Sequence, residues 1–209
     1  MGKTRVIAFI DGFNLYHSLR HLDGGQYKWL NLTSLAEAFI IPQKEELVKI
    51  YYFTAYAYWL PHAQKRHKVF VEANKCVNGS LEVVLGKFKE KDRICKKCGK
   101  SYTSHEEKAT DVNISLYIFI EAYKDNYDKA LIITADTDII PAIELTTLHF
   151  PEKELHVILP FSRHGKIFDE YAHDVKRIRR HHLKRNQLPE KIEDESGKIY
   201  SRPPEWNKR

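Results

Sequence analysis

Long apolar runs are missing from this sequence of 209 residues. The N-terminal MGKTRVIAFIDG holds a short one, RVIAFI, which meets an aspartate at once. It lacks a small-residue cleavage site and falls well short of the roughly 20 residues a membrane helix needs. A membrane partner is therefore not expected, and the protein reads as cytoplasmic. Cysteine is scarce: three residues, an odd number, exclude a disulfide framework and fit a reducing compartment. Internal repeats and low-complexity blocks are also absent, while hydrophobic residues make up 43% and aromatics 12%. Those proportions exclude a disordered polyampholyte. What is there is enough for one main domain, since a domain usually takes roughly 100 to 200 residues. Lys and Arg number 34 against 28 Asp and Glu, a net charge of +6, which makes nucleic acid the leading partner class. Many cytosolic proteins are mildly basic without such a partner.

The chain alternates between two periodicities. Strands are predicted at Arg5–Ile10, Val48–Ala55, Ser80–Phe88, Ala130–Thr134 and Leu155–Leu159, from β-branched and aromatic runs. Helices are predicted at Phe13–Leu22, Thr33–Ile40, His62–Val77, Asp111–Tyr123, Ile139–Leu148 and Gly165–His173, from apolar residues at helical spacing. In the fourth of these the predicted inward stripe is Val112, Leu116, Ile120 and Tyr123. Pro141 is tolerated in a first turn, where its missing amide has no partner to lose. The polar segment 89–108, carrying Cys95 and Cys98, reads as an excursion from the core. From Leu188 an extended tail is expected, with Trp206 as the residue able to pin it. Strands alternating with helices define an α/β fold: a three-layer α/β/α sandwich around a central, mainly parallel, Rossmann-like sheet. The expected division is a domain over 1–180 and a basic, polar tail over 181–209.

In such sheets ligands bind at the carboxyl ends of the strands. Asp11 ends the first strand, Asp136 and Asp138 follow the fourth, and Asp111 opens a helix after a charged loop. Converging carboxylates repel one another unless a cation neutralises them, and oxygen-only ligands suit Mg²⁺ or Mn²⁺ beside phosphate oxygens. Asn14, one helical turn after Asp11, is placed to orient a water or hold a phosphate. Each residue also has a local reading: Asp111 and Asp138 as helix starts, Asp11 as a turn residue beside Gly12, Asn14 bonded to nearby backbone. Those separate readings leave the joint placement at strand ends unexplained.

The motifs FIDGFNLYHSL, YYFTA, EEKATDVNISL, ITADTDIIPAI, LPEKI and RPPEW, in that order, resemble the NYN domain proteins (the DUF88 or LabA-like group) of the PIN-like nuclease superfamily. The resemblance covers nearly the whole chain. It implies a PIN-like α/β/α fold and a metal-dependent endoribonuclease that uses Mg²⁺ or Mn²⁺. By matching position, Asp11 and Asn14 come from DGFN, Asp111 from EKATDVN, and Asp136 and Asp138 from ADTD. All five are then catalytic candidates, with Asp11, Asp111, Asp136 and Asp138 as metal ligands. Where the family often has SGDSD this chain has TADTD, so Thr134 keeps a hydroxyl and Ala135 replaces glycine. The implied reaction is hydrolysis of an RNA phosphodiester by a water attacking in line with the leaving ribose oxygen, giving 5′-phosphate and 3′-hydroxyl ends. A catalytically weak RNA-binding or adaptor module of the same fold is the alternative. A haloacid-dehalogenase-like phosphatase also uses DxD, but near its start and with much core following.

For RNA the basic candidates are Arg66, Lys108, Arg163, Lys176, Arg177, Arg179 and Arg180. Charge runs are equally often solvated helix ends. Lys65, Arg66, His67 and Lys68 lie near Tyr56, Tyr58 and Trp59, aromatics suited to base stacking or to core or dimer contacts. ICKKCGK sets Cys95 and Cys98 at the spacing with which two thiolates grip Zn²⁺. The remaining ligands would have to come from His105, Cys76 or another subunit; a plain reduced loop is the alternative. A homodimer or a regulatory protein partner is compatible with the sequence, which specifies neither.

Overall fold

The first apolar run forms β1 (Thr4–Asp11), whose side chains alternate between two cores. Val6, Ala8 and Ile10 enter one hydrophobic cluster, while Ile7 and Phe9 enter another on the opposite face. The computed structural model describes residues 2–20 and 22–207. His21, inside the helix predicted over Phe13–Leu22, and Lys208 and Arg209 of the expected tail lie outside the described residues. After β1 come α1 (Gly12–Leu19), α2 (Leu32–Glu37), β2 (Glu45–Thr54), α3 (Pro61–Val77), β3 (Leu81–Leu85) and the antiparallel pair β4 (Lys87–Ile94) and β5 (Ser101–Lys108). Then follow α4 (Thr110–Tyr123), β6 (Lys129–Ile133), α5 (Ile140–His149), β7 (Glu154–Leu159), β8 (Asp174–Arg177), α6 (Arg180–Arg185), β9 (Lys191–Glu193) and β10 (Ile199–Ser201).

Six strands form one sheet in the order β3-β2-β1-β6-β7-β8, every pairing parallel. Helices α1, α2, α3 and α6 contribute to the cluster on one face, and α4 and α5 to that on the other. This is the three-layer α/β/α architecture the sequence predicts. Strand order reverses between β1 and β6, so the topological switch point lies where Asp11 ends β1 and Thr134 follows β6. Gly12 is required there: a Cβ would stand 2.7 Å from the Phe53 carbonyl oxygen, so only glycine lets α1 start this close to β2.

Four local expectations change. The strand predicted over Ser80–Phe88 breaks at Gly86, where a Cβ would lie 2.7 Å from Thr110 Oγ1, and the chain leaves the sheet as the β4–β5 hairpin. The helix predicted over Gly165–His173 is only a 3₁₀ turn at Lys166–Glu170, followed by the edge strand β8; four residues, three of them charged, carry too little pattern to announce a strand. In α4 the predicted inward stripe faces out: Val112 and Leu116 are each 60% exposed and Tyr123 is 69% exposed, whereas Ile114, Ile118 and Ala122 are buried. The helix is apolar on two sides, and helical spacing alone cannot choose between them. Finally, the segment from Leu188 forms the β9–β10 hairpin and returns to the core. Leu188, Ile192, Tyr200 and Trp206 are buried in the same cluster as Trp29 and Phe70. Trp29 donates to the Pro189 carbonyl at 2.7 Å, and Trp206 packs its ring 6.3 Å from that of Trp29 and 6.1 Å from that of Phe70.

The amino ends of the strands are closed by ion pairs. Arg5 bonds Asp128 at 2.6 Å and Asp125 at 2.9 Å, Lys153 also reaches Asp125, and buried Lys129 meets Glu45 at 2.9 Å. Every one of these acids has a cation beside it. Replacing Trp206 with alanine removes a buried ring from the far end of the chain, a change that typically costs about 3 to 5 kcal/mol. The urea midpoint of Trp206→Ala is expected to fall accordingly with the transition slope unchanged; an unchanged midpoint would place residues 188–207 outside the cooperative core.

Candidate active site

The carboxyl end of the sheet is built differently. Asp11, 4% exposed, caps α1: its Oδ1 accepts the Asn14 amide at 2.9 Å. Its Oδ2 accepts the hydroxyl of fully buried Thr134 at 2.9 Å, and that hydroxyl accepts the Asp136 amide at 3.0 Å. Asp136 Oδ1 in turn accepts the Asp138 amide at 3.0 Å, capping the turn that leads into α5. One chain of hydrogen bonds thus sews the end of β1 to the loop after β6 and fixes three aspartates relative to one another. From the other side Glu107, at the end of β5, accepts the Thr110 hydroxyl, and Asp111 follows in the first turn of α4. Ala109 between them is left-handed at φ 76°, a strained conformation that turns the hairpin into the helix.

No cation is among the described neighbours that perturb Asp11, Glu107 and Asp111. Burial pushes the Asp11 carboxyl up to about 6, against its two hydrogen bonds, and the charges of Asp111 and Glu107 add to the rise. Burial likewise raises Glu107, with Asp111 and Asp136 reinforcing it. Asp111 is raised by burial, then by Asp136 and Asp138. At the amino end the direction is opposite: Lys153 and Arg5 hold Asp125 below its ordinary range, and Arg5 does the same for Asp128. The five carboxylates Asp11, Glu107, Asp111, Asp136 and Asp138 therefore share one neighbourhood of uncompensated negative charge.

Glu107 is the member that reading the sequence missed. Its only signal was a place three residues before Thr110 in EEKATDV, and β-strand register had to turn it toward the cleft. Thr134 was noticed as a departure in motif; its role as the link between β1 and β6 is a tertiary fact. Asn14 belongs to the same region, and its Oδ1 is buried without a partner. Among the described residues no three His, Cys, Asp or Glu groups stand close enough to share an ion as placed. In chemistry the donor set fits a hard divalent cation: it is made of oxygen donors, with Asp11, Glu107 and Asp111 raised in pKa first by burial and then by neighbouring acids, beside an orphaned amide oxygen.

The basic candidates are spread over several elements. Arg163 lies in the loop after β7, exposed, its carbonyl accepting from Arg177 Nη1 at 3.4 Å. It is near enough to His17 to depress that imidazole, after burial and together with Arg20. Lys28 lies over the Tyr16 ring at 5.1 Å, on the same side of the molecule as Arg20. Other cations are engaged: Arg66 with Glu205 at 2.8 Å, Lys176 with Asp174 at 3.0 Å, Lys108 with Glu106 at 3.4 Å, and Arg180 with Asp23. Arg179 starts α6, its amide donating to His182 Nδ1. His67 is turned inward, held neutral by burial at about 4. A surface cavity between β2 and α4 is lined by Lys49 and Glu82, already paired at 2.7 Å, and lies away from the acidic cluster.

The α/β/α fold has relatives among known proteins. The NYN domain description matches residues 5–178, and the chain belongs to the NYN domain family, which includes nucleases. The protein of unknown function VPA0982 from Vibrio parahaemolyticus RIMD 2210633 shares the fold with a TM-score of 0.54, at 18% identity over 85% of this chain and 94% of its own. The 6-hydroxy-3-succinoylpyridine 3-monooxygenase HspA of Pseudomonas putida (strain DSM 28022 / S16) is 27% identical over 218 residues, covering 89% of this chain and 68% of HspA. No described helix is long and apolar enough to cross a membrane.

The raised pKa of Asp11 makes a stability prediction. Because the folded state binds the proton more tightly, stability falls as pH rises from the ordinary carboxyl range to about 6, and the cost is complete above it. That cost is about 2 to 3 kcal/mol. In Asp11→Asn the side-chain oxygen still accepts from Asn14 and the amide can donate to Thr134. This variant is expected to be more stable than the parent by about 1 to 3 kcal/mol near neutral pH and no more stable near pH 4, measured by urea unfolding without divalent ions.

Proposed function

We propose that the protein is a metal-dependent endoribonuclease, and the observation that carries this reading is the set of five uncompensated carboxylates at the switch point. Asp11, Asp111, Asp136 and Asp138 are the residues that would hold Mg²⁺ or Mn²⁺. Such an ion lowers the pKa of a bound water and neutralises charge developing on a phosphodiester. The chain's own groups supply the rest. Glu107, raised in pKa and fixed by Thr110, is suited to take a proton from the attacking water at a carboxylate oxygen. Thr134 positions Asp11 and the backbone of Asp136, and the Asn14 amide orients a phosphate oxygen or a water. Arg163, exposed at the rim, binds a neighbouring phosphate of the strand. The 2′-hydroxyl has no role in this scheme, so the products carry 5′-phosphate and 3′-hydroxyl ends.

A second reading, monooxygenation of a substituted pyridine, is supported by the likeness to HspA, which is named a 6-hydroxy-3-succinoylpyridine 3-monooxygenase. The two separate on substrate: RNA cleavage dependent on Mn²⁺ supports the first, and conversion of 6-hydroxy-3-succinoylpyridine supports the second. Cleavage by the parent protein is expected to fall to background in Asp136→Ala, with unfolding behaviour retained. Glu107→Gln should lose about 100- to 10,000-fold in rate, read from 5′-end-labelled RNA. Undiminished cleavage by Asp136→Ala assigns the activity to a contaminant and overturns the proposal.

A further inference from the structure

The β4–β5 hairpin ends in a feature that the acidic cleft does not use. Its eight paired positions on each strand, from Lys87 opposite Lys108 to Ile94 opposite Ser101, carry the tip about 24 Å from the base. The base is fixed by aromatic packing: Phe88 against Phe13 and Trp59, Trp59 stacked on His105 at 3.6 Å, and Tyr58 donating to Glu90 at 2.8 Å. Toward the tip nothing among the described residues covers it, and Ile94 is 71% and Tyr102 52% exposed.

At the tip the chain folds into a knuckle. The Cys95 amide donates to the Lys100 carbonyl at 2.8 Å, and the Gly99 amide to the Cys95 carbonyl at 2.8 Å; Gly99 takes φ 68°, where glycine is favoured. Cys95 is half-buried and Cys98 exposed, both as free thiols. This tight turn sets two cysteines three residues apart in one exposed loop, the spacing that supplies half of a tetrahedral tetrathiolate site.

The other half is not available within the described chain. His105 pairs with Glu90 four rungs down the ladder, roughly 14 Å away along the strand, and is stacked on Trp59. Cys76 lies on α3, where its neighbours are Asp194 and Glu72. A second copy meeting the first tip to tip on a two-fold axis brings the same two sulfurs and completes the set by symmetry. We propose that Cys95 and Cys98 of two copies of this chain bind one Zn²⁺ between their hairpin tips. Each thiol gives up its proton on binding. The resulting dianionic centre offsets the repulsion among Lys96, Lys97 and Lys100 of the two copies, and the meeting tips shelter Ile94.

The test is zinc content and mass measured together, on full-length protein expressed with zinc and purified in reductant without chelator. The expected result is one zinc per two chains and a dimer by light scattering that dissociates when zinc is stripped. Cys98→Ser should be a zinc-free monomer with the thermal midpoint of the zinc-stripped parent, because the tip is exposed. Cobalt substituted into the parent dimer should show the charge-transfer intensity of four thiolates. One zinc per monomer, no zinc, or a dimer that survives both stripping and Cys98→Ser would overturn the proposal. None of these readouts depends on RNA cleavage.

Discussion

The hydrogen bond from Thr134 to Asp11 is the constraint around which the carboxyl end of the sheet is organised. It crosses from β6 to β1 at the one seam where the strand order reverses, and it holds a buried carboxylate that no cation neutralises. Because Thr134 also receives the Asp136 amide and Asp136 the Asp138 amide, the position of one acid propagates to the next two. Gly12 lets α1 begin against β2 and so puts the Asn14 amide where it can complete the cap on Asp11. The backbone that carries these three aspartates is fixed in this way, and the electrostatic cost of burying Asp11 is carried by the rest of the fold.

The two ends of the sheet show how that cost is confined. At the amino ends, Arg5, Lys129 and Lys153 stand against Asp125, Asp128 and Glu45, so burial there is offset by pairing. At the carboxyl ends burial and like charge act together and raise the acids instead of lowering them. The same residue type thus has opposite character at opposite ends. That contrast, within one sheet, is the physical argument for reading the carboxyl end as a place where a cation or a polyanion's counter-charge belongs.

The hairpin and the C-terminal segment contribute to this centre in different ways. The hairpin delivers Glu107 from its base, braced by Phe88 on Phe13 and Trp59 on His105, and Gly86 leaves room for Thr110 beside it. The C-terminal segment stabilises at a distance: Leu188, Ile192, Tyr200 and Trp206 fill the face behind α1 and α3, and Glu205 pairs with Arg66. A segment that is polar by composition joins the core through a few large side chains placed where Trp29 can receive them.

The parallel sheet, its two covering layers and the placement of Asp11, Asp136 and Asp138 at strand ends were legible in the sequence, because strand and helix periodicities differ and an apolar run ending in aspartate marks a buried strand's edge. β8 was not legible, since four residues with three charges resemble a loop. The outward face of α4 was misread because Val112, Leu116 and Ile120 obey the same spacing as Ile114, Ile118 and Ala122, and only the sheet beneath decides between them. Glu107 and Thr134 entered the site through register and packing, which bring together residues separated by many positions in the chain. Backbone preference and periodicity, being short-range, were enough for the five long central strands and the helices between them, and not for β8 or the β9–β10 hairpin. Only the tertiary structure decided which acids share a field without a cation, because repulsion and desolvation depend on distance in space.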